Sequence, residues 1–262
     1  MLAPIFVSHG SPMTVLTDTP GHRFLAGLAA TLPRPRAILM ASAHWLTRGP
    51  ALSAPERNET IHDFYGFPPA LYACRYPAPG APALAARAAA LLDAAGLPAA
   101  IDPARGLDHG AWVPLLLAWP DATIPVAQLA IQPRRDPAHH LALGRALAAL
   151  AAEDVLVIGS GSFTHNLGRI RRDAVGVADE PDVAAFAEWM GDALAEGRTD
   201  DLLAYRTRAP YAEEQHPTDE HLLPLYVALG AAGDGAKATR LHASADYGVL
   251  RMDAFSFAPA NR

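Results

Sequence analysis

Residues 155–166 read VLVIGSGSFTHN, and the fold turns on how this stretch is read. Val155, Leu156, Val157 and Ile158 show no polar alternation, which is the pattern of a strand buried on both faces. The run breaks at Gly159 into small residues and reaches a histidine at 165. Two other runs behave in the same way: IFVSHG (5–10) stops at His9, and AILMASAHW (37–45) stops at His44. Adding the apolar run 126–131, strands are expected over 5–8, 37–43, 126–131 and 155–159. Between them, residues 21–31, 81–95, 137–152 and 182–196 read as helices whose starts are marked by proline or small polar residues. Strand–helix alternation of this kind implies an α/β protein with a mostly parallel sheet and helices on both faces. Toward the C-terminus, ATRLHASADYGVLRMDAFSF (238–257) reads as two strands joined by a turn around Asp246-Tyr247-Gly248. A hairpin there adds antiparallel pairing and makes the sheet mixed.

The 262 residues suit one large domain, 1–262, with no internal repeat and no Gly/Ser linker. CRYPAPGAPA (74–83) is short, runs into a helix, and reads as a shaped loop. A formal charge of −6 argues against nucleic-acid or membrane-surface binding, both of which need a clustered positive field. Cys74 is the only cysteine, which excludes an internal disulfide and a thiolate metal cluster. No apolar run reaches the roughly 18 residues of a membrane span. The first residues, MLAPIFVSHG, lack the basic start of a secretion signal, so a reducing cytoplasm is expected.

The histidines carry the functional signal. In an open parallel sheet the C-terminal strand ends share one edge, and ligands bind there. Three strand exits placing His9, His44 and His165 on that edge build a cluster from distant parts of the chain. Gly10, Gly159 and Gly161 permit tight turns and close approach. HPTDEHLLPL (216–225) adds His221 within about a turn of a helix expected to open at Pro217 or Thr218, with Glu220 and His216 as neighbours. GLDHGAW (106–112) sets His109 just before another apolar segment. A lone histidine after a strand is usually a capping or surface residue, and His22, His139, His140 and His242 are read that way. Joint placement separates the others, because buried imidazoles need partners. Such a cluster suits Zn(II), Fe(II), Mn(II) or metal-free acid–base chemistry. GSGSF only loosely resembles a nucleophile elbow, so a Ser160 or Ser162 hydrolase is a minor reading. HDFYGFPPALY (62–72) is either a packed loop or an aromatic wall for a planar substrate. Arg169, Arg171 and Arg172 read as a solvated helix end more readily than as a carboxylate clamp.

Taken in order, SHGSP, SAHW, HDFYGFPPALY, YPAPG, LDHGAW, GSGSFTHNL and PTDEHLLPL resemble the DODA-type extradiol ring-cleavage dioxygenases. These are relatives of the catalytic subunit of protocatechuate 4,5-dioxygenase, and the resemblance runs from residue 4 to about 257. It implies metal ligation by His9, His44 and His221, with Glu220 as the alternative carboxylate ligand. It also implies His165 as acid–base residue, or as a fourth ligand where zinc is bound, and His109 in the substrate pocket. His216 is either a neighbour supporting the metal site or a helix-start residue, with the second preferred. The resemblance further implies Fe(II), with Zn(II) able to occupy the purified protein, and a catechol and O2 as the reactants. The rival readings are a zinc-dependent hydrolase on the same scaffold and a non-catalytic interaction protein. Loops 60–72 and 175–211 are expected to set the substrate; oligomeric state is not legible.

Overall fold

The computed structural model describes residues 1–171, 174 and 179–259. Ten strands occur among them: β1 Ile5–Ser8, β2 Ala37–Leu46, β3 Ala51–Ser53, β4 Ala100–Asp102, β5 Val126–Ile131, β6 Val155–Gly161, β7 Lys237–His242, β8 Ala245–Asp246, β9 Leu250–Arg251 and β10 Ala254–Ala258. Eight of them form one sheet in the order β4-β3-β5-β2-β6-β1-β10-β7. The central run β5-β2-β6-β1 is parallel throughout. Antiparallel pairing enters at the flanks, between β3 and β5 and through β10 with β1 and β7. The expected mostly parallel, mixed sheet is therefore present.

Period-two alternation in the central strands feeds two cores. Phe6, Leu39, Ala41, Val155 and Val157 point to the face packed by helices Pro82–Ala94, Pro137–Ala146, Pro181–Ala195 and Leu223–Ala231. Ile5, Val7, Ile38, Met40, Leu156 and Ile158 point to the face packed by Pro20–Gly27 and His109–Ala118. Strands with both faces covered have no polar side to display, which is why they read as continuous apolar runs.

Several features differ from the sequence reading. The helices expected over 21–31 and 137–152 end at Gly27 and Ala146, each followed by a short 3-10 segment, and β6 runs on to Gly161. β2 continues to Leu46, and its pairing with β5 shifts register between Ala41 and Leu46. His44 thus sits in an irregular strand segment, where a bulge re-aims a side chain, and not beyond the strand. The helix expected from Pro217 or Thr218 opens only at Leu223. His221 lies in the preceding turn, in which the Asp219 carbonyl accepts from Leu222 and Leu223. The Asp246-Tyr247-Gly248 turn is itself closed by a small ladder, β8 with β9. β3 and β4 have three residues each, too few to show a period. Arg172 and residues 175–178 lie outside the described residues. No described helix is long and apolar enough to cross a membrane.

Candidate metal centre

Three adjacent strands, β2, β6 and β1, build the site. His9 follows the last residue of β1, and its neighbour Gly10 has φ +67°, a conformation that favours glycine. His44 comes from the irregular end of β2. β6 contributes a small-residue platform in place of a ligand. A Cβ on Gly161 would stand 2.0 Å from the His221 carbonyl oxygen, and one on Gly159 would stand 2.1 Å from that of Pro224. Only glycine lets the 219–231 segment lie this close to the sheet. The Ser162 amide then donates to the His221 carbonyl at 2.9 Å, fixing the third imidazole over β6.

The outcome is a convergence of ring nitrogens. His44 Nε2 lies 3.1 Å from His9 Nε2 and 3.2 Å from His221 Nε2. On the other side, two of the rings have a hydrogen-bond partner at Nδ1 and the third faces a carboxylate. Ser160 donates its hydroxyl to the Gly110 carbonyl at 2.5 Å, so its oxygen accepts at 3.1 Å from His9 Nδ1. His221 Nδ1 donates to Glu220 Oε1 at 3.0 Å. His44 Nδ1 faces Asp63 Oδ2 at 3.6 Å. With the Nδ1 atoms carrying the protons, three Nε2 lone pairs meet with no hydrogen between them. A first-row ion with bonds of ~2.0–2.1 Å sets N···N edges of about 3.0 Å (octahedral) to 3.4 Å (tetrahedral). The observed spacings fall in that window, so the donor set fits a metal ion.

Electrostatics favours the neutral, ligating form of each ring. Burial, aided by the imidazoles of His44, His109, His221 and His165, holds His9 well below the ordinary range. Burial does the same to His221, with His165 as its strongest imidazole neighbour. His44 is pushed down to about 4 by burial and His109, against the opposing carboxylates of Asp108, Asp63 and Glu220.

His165 and His109 flank the three. The His165 ring stacks on His221 with centroids 3.4 Å apart and planes 11° apart; burial and His216 lower its pKa to about 3. His109 opens the His109–Ala118 helix behind Asp108, a buried cap that accepts from Ala111, Ser42, Arg105 and Gln128. That one carboxylate ties β2, β5 and the helix start together. The His109 ring lies 3.8 Å from that of His44 and edge-on to Phe64 at 5.7 Å. Phe64 in turn meets Phe67 and Tyr72, each at 5.3 Å, so the 62–72 loop forms an aromatic wall beside the histidines.

Glu220 Oε1 accepts from His221 and Thr218, and with His165 and His221 it offers a further set of ligand atoms within 4.8 Å of one another. His216 is not a helix-start residue: it follows helix Ala212–Gln215, is fully buried, and donates from Nε2 to the Phe163 carbonyl at 3.0 Å. Ser160 gives its proton to a carbonyl, and Ser162 gives its own to Thr164, so neither is a poised nucleophile. Arg169 pairs with Asp182 and Arg171 with Glu180. His22, His139 and His242 have local partners in Thr14, Gln132 and Ser244; His140, read as a capping or surface residue, is instead fully buried between the Asp136 carbonyl and the Gln132 amide. Sequence reading missed Asp63, which lies 46 positions from His109 and has no spacing signal. It weighed Ser160 only as a nucleophile.

The comparisons agree with this geometry. Residues 4–252 match the catalytic LigB subunit of aromatic ring-opening dioxygenase. A Beta vulgaris protein named 4,5-DOPA dioxygenase extradiol is 45% identical over 256 residues, covering 96% of this chain and 95% of that one. The Escherichia coli protein of the same name is 43% identical, covering 87% and 84%. A crystal structure of an uncharacterized Escherichia coli K12 protein superposes with a TM-score of 0.82 at 35% identity, covering 98% and 99%. With the match extending over nearly all of its length, this chain belongs to the LigB family of aromatic ring-opening dioxygenases.

Proposed function

We propose that the chain is an Fe(II)-dependent extradiol dioxygenase that opens the ring of a DOPA-like catechol with O2, the whole of 1–262 acting as one cytoplasmic catalytic domain. The observation that carries this is the convergence of the His9, His44 and His221 Nε2 atoms in a chain of the LigB family. His9, His44 and His221 hold the metal. Bound Fe(II) supplies the redox centre at which O2 and an aromatic ring react. Zn(II) binds such nitrogen sets more tightly than Fe(II), so zinc in a purified sample reports affinity and not the reaction.

The chain's own residues position and deprotonate. His165, held neutral, accepts a catechol hydroxyl proton at a ring nitrogen and returns a proton as the ring opens. Its stacking on His221 keeps it within reach of a substrate at the metal. His109 lines the pocket on the opposite flank, and Phe64 offers an edge to a planar ring. Substrate preference for a DOPA-like side chain is drawn from the named relatives. The serine-hydrolase reading loses ground because neither buried serine is free to attack; the zinc-hydrolase reading, which would use a metal-bound water, is separated by the test below.

The test is anaerobic Fe(II) loading of chelator-stripped protein, then oxygen with DOPA, protocatechuate or caffeate, followed by visible absorbance. A yellow ring-opened product dependent on Fe(II) and lost in His165→Ala supports the proposal. Turnover of esters or amides with Zn(II), and no product from any catechol, overturns it.

A further inference from the structure

Asp63 has two carboxylate oxygens and two jobs at one residue. Oδ1 accepts from the backbone amide of His109 at 2.9 Å, and Oδ2 accepts from His109 Nδ1, also at 2.9 Å. The first bond satisfies an otherwise unpaired amide in the opening turn of the His109–Ala118 helix. The second decides where the imidazole proton resides. A carboxylate is an acceptor only, so Nδ1 must carry a hydrogen, and in the neutral ring Nε2 then presents the lone pair. That Nε2 has no hydrogen-bond partner among the described residues, although the His109 ring packs against His44 and His9.

Asp63 holds its charge in a partly enclosed place. Its side chain is 22% accessible. Burial opposes its ionisation, but the His109 hydrogen bonds and the nearby imidazoles outweigh burial and bring the carboxyl down to about 2. The same Oδ2 lies 3.6 Å from His44 Nδ1, so one oxygen faces a proposed metal ligand and the pocket histidine together. His44, Asp63 and His109 also have the composition of a second cation site. Oδ1 is already committed to the His109 amide, and we take Nδ1–H···Oδ2 as the arrangement of the metal-free protein, the form in which the experiment below reads it.

We propose that Asp63 is the positioning residue of this site: it locks His109 in the Nδ1–H tautomer, making Nε2 a fixed hydrogen-bond acceptor for a substrate hydroxyl, and it braces the metal ligand His44 from behind. His165 has no such partner on its ring among the described residues. The two flanking histidines therefore differ in kind: His109 only accepts, whereas His165 is free to give and take a proton. Its bearing on turnover rests on the proposed dioxygenase reaction; the tautomer assignment does not.

The experiment uses protein labelled with 15N-histidine, metal-free at pH 7.5, with the His109 signals assigned by their loss in His109→Gln. Wild type is expected to show Nδ1 protonated and Nε2 bare. Asn offers one acceptor oxygen for two donors, so Asp63→Asn is expected to shift His109 toward the Nε2–H form. With metal saturating, its kcat is expected to fall by ~10–100-fold, the usual cost of losing such a support, more than KM changes. Asp63→Glu, which keeps both oxygens, is expected to recover the tautomer in part. An Nε2–H signal in wild type overturns the proposal without any variant. So does an unchanged tautomer in folded Asp63→Asn. If the tautomers behave as expected but no catechol is opened, the dioxygenase reading fails and the role of Asp63 stands.

Discussion

Gly161→Ala tests how the third imidazole is seated. The residue lies at the end of β6 without positive φ, so alanine meets no backbone strain there. The added methyl would, however, stand 2.0 Å from the His221 carbonyl oxygen and 3.4 Å from Pro224 Cγ, where real contacts essentially never fall under 3.0 Å. The carbonyl must retreat by about 1 Å, and the Ser162–His221 hydrogen bond, 2.9 Å long, goes with it. Overpacking costs ~1–3 kcal/mol and the lost backbone bond about 1 kcal/mol, so a destabilisation of ~2–4 kcal/mol is expected. The metal is more sensitive, because ligand distances tolerate only about ±0.2 Å. An imidazole displaced by five times that tolerance lowers Zn(II) affinity by ~100-fold or more. Titration calorimetry with Zn(II) and urea unfolding measure the two effects on one sample. Gly27→Ala is the control: no atom lies within 4 Å of the position its methyl would take, and its φ of −87° suits alanine. Wild-type Zn(II) affinity in Gly161→Ala would refute the claim that close approach to β6 seats His221.

His9→Ala and His44→Ala are each expected to abolish stoichiometric metal binding with the circular dichroism unchanged; metal retained in both removes the ligand assignment. Zn(II) should raise the melting temperature of stripped wild type in a concentration-dependent way, and equal melting with and without it would contradict a built site. His140, fully buried, donates from Nδ1 to the Asp136 carbonyl and accepts from the Gln132 amide at Nε2. Burial lowers its pKa from 6.5 to about 4. Its contribution to stability is therefore full above pH 6.5 and lost as pH falls toward 4, at up to ~1.4 kcal/mol per pH unit. Urea midpoints of stripped wild type should fall more steeply than those of His140→Gln over that window, and parallel slopes would count against it. Phe64→Ala should raise KM for a catechol by about 3–10-fold, the scale of one aromatic contact, and an unchanged KM would remove Phe64 from the substrate wall.

Much of this was legible because parallel central strands announce themselves. Val155–Ile158 and Ile38–Ala41 are apolar without alternation, and the abrupt passage to Gly, Ser and His marks where each strand leaves the core. Two of the three proposed ligands, His9 and His44, follow or end such runs, so a topological rule puts them on one edge; His221 comes instead from the turn before a helix. What escaped was long-range hydrogen bonding. Asp63 looks like one polar residue in an aromatic loop, and its partnership with His109 exists only after the loop folds over the helix start. Ser160 looked like a nucleophile because its direction is decided by Gly110, a residue 50 positions away. The late start of the Leu223–Ala231 helix was hidden because the preceding turn is held by the Asp219 carbonyl, a backbone contact no side chain reports.

The order of strands has a consequence for how the protein matures. β1, the first of the described strands, lies between β6 and β10, the last of them. His9 and His44 are synthesised well before His221, which follows His44 by 177 residues. A nascent chain on the ribosome can therefore offer a metal at most two of the three imidazoles, and two bind far more weakly than three. On the proposed ligand set, a metal gains its third imidazole only after residue 221 has been made and has settled against β6.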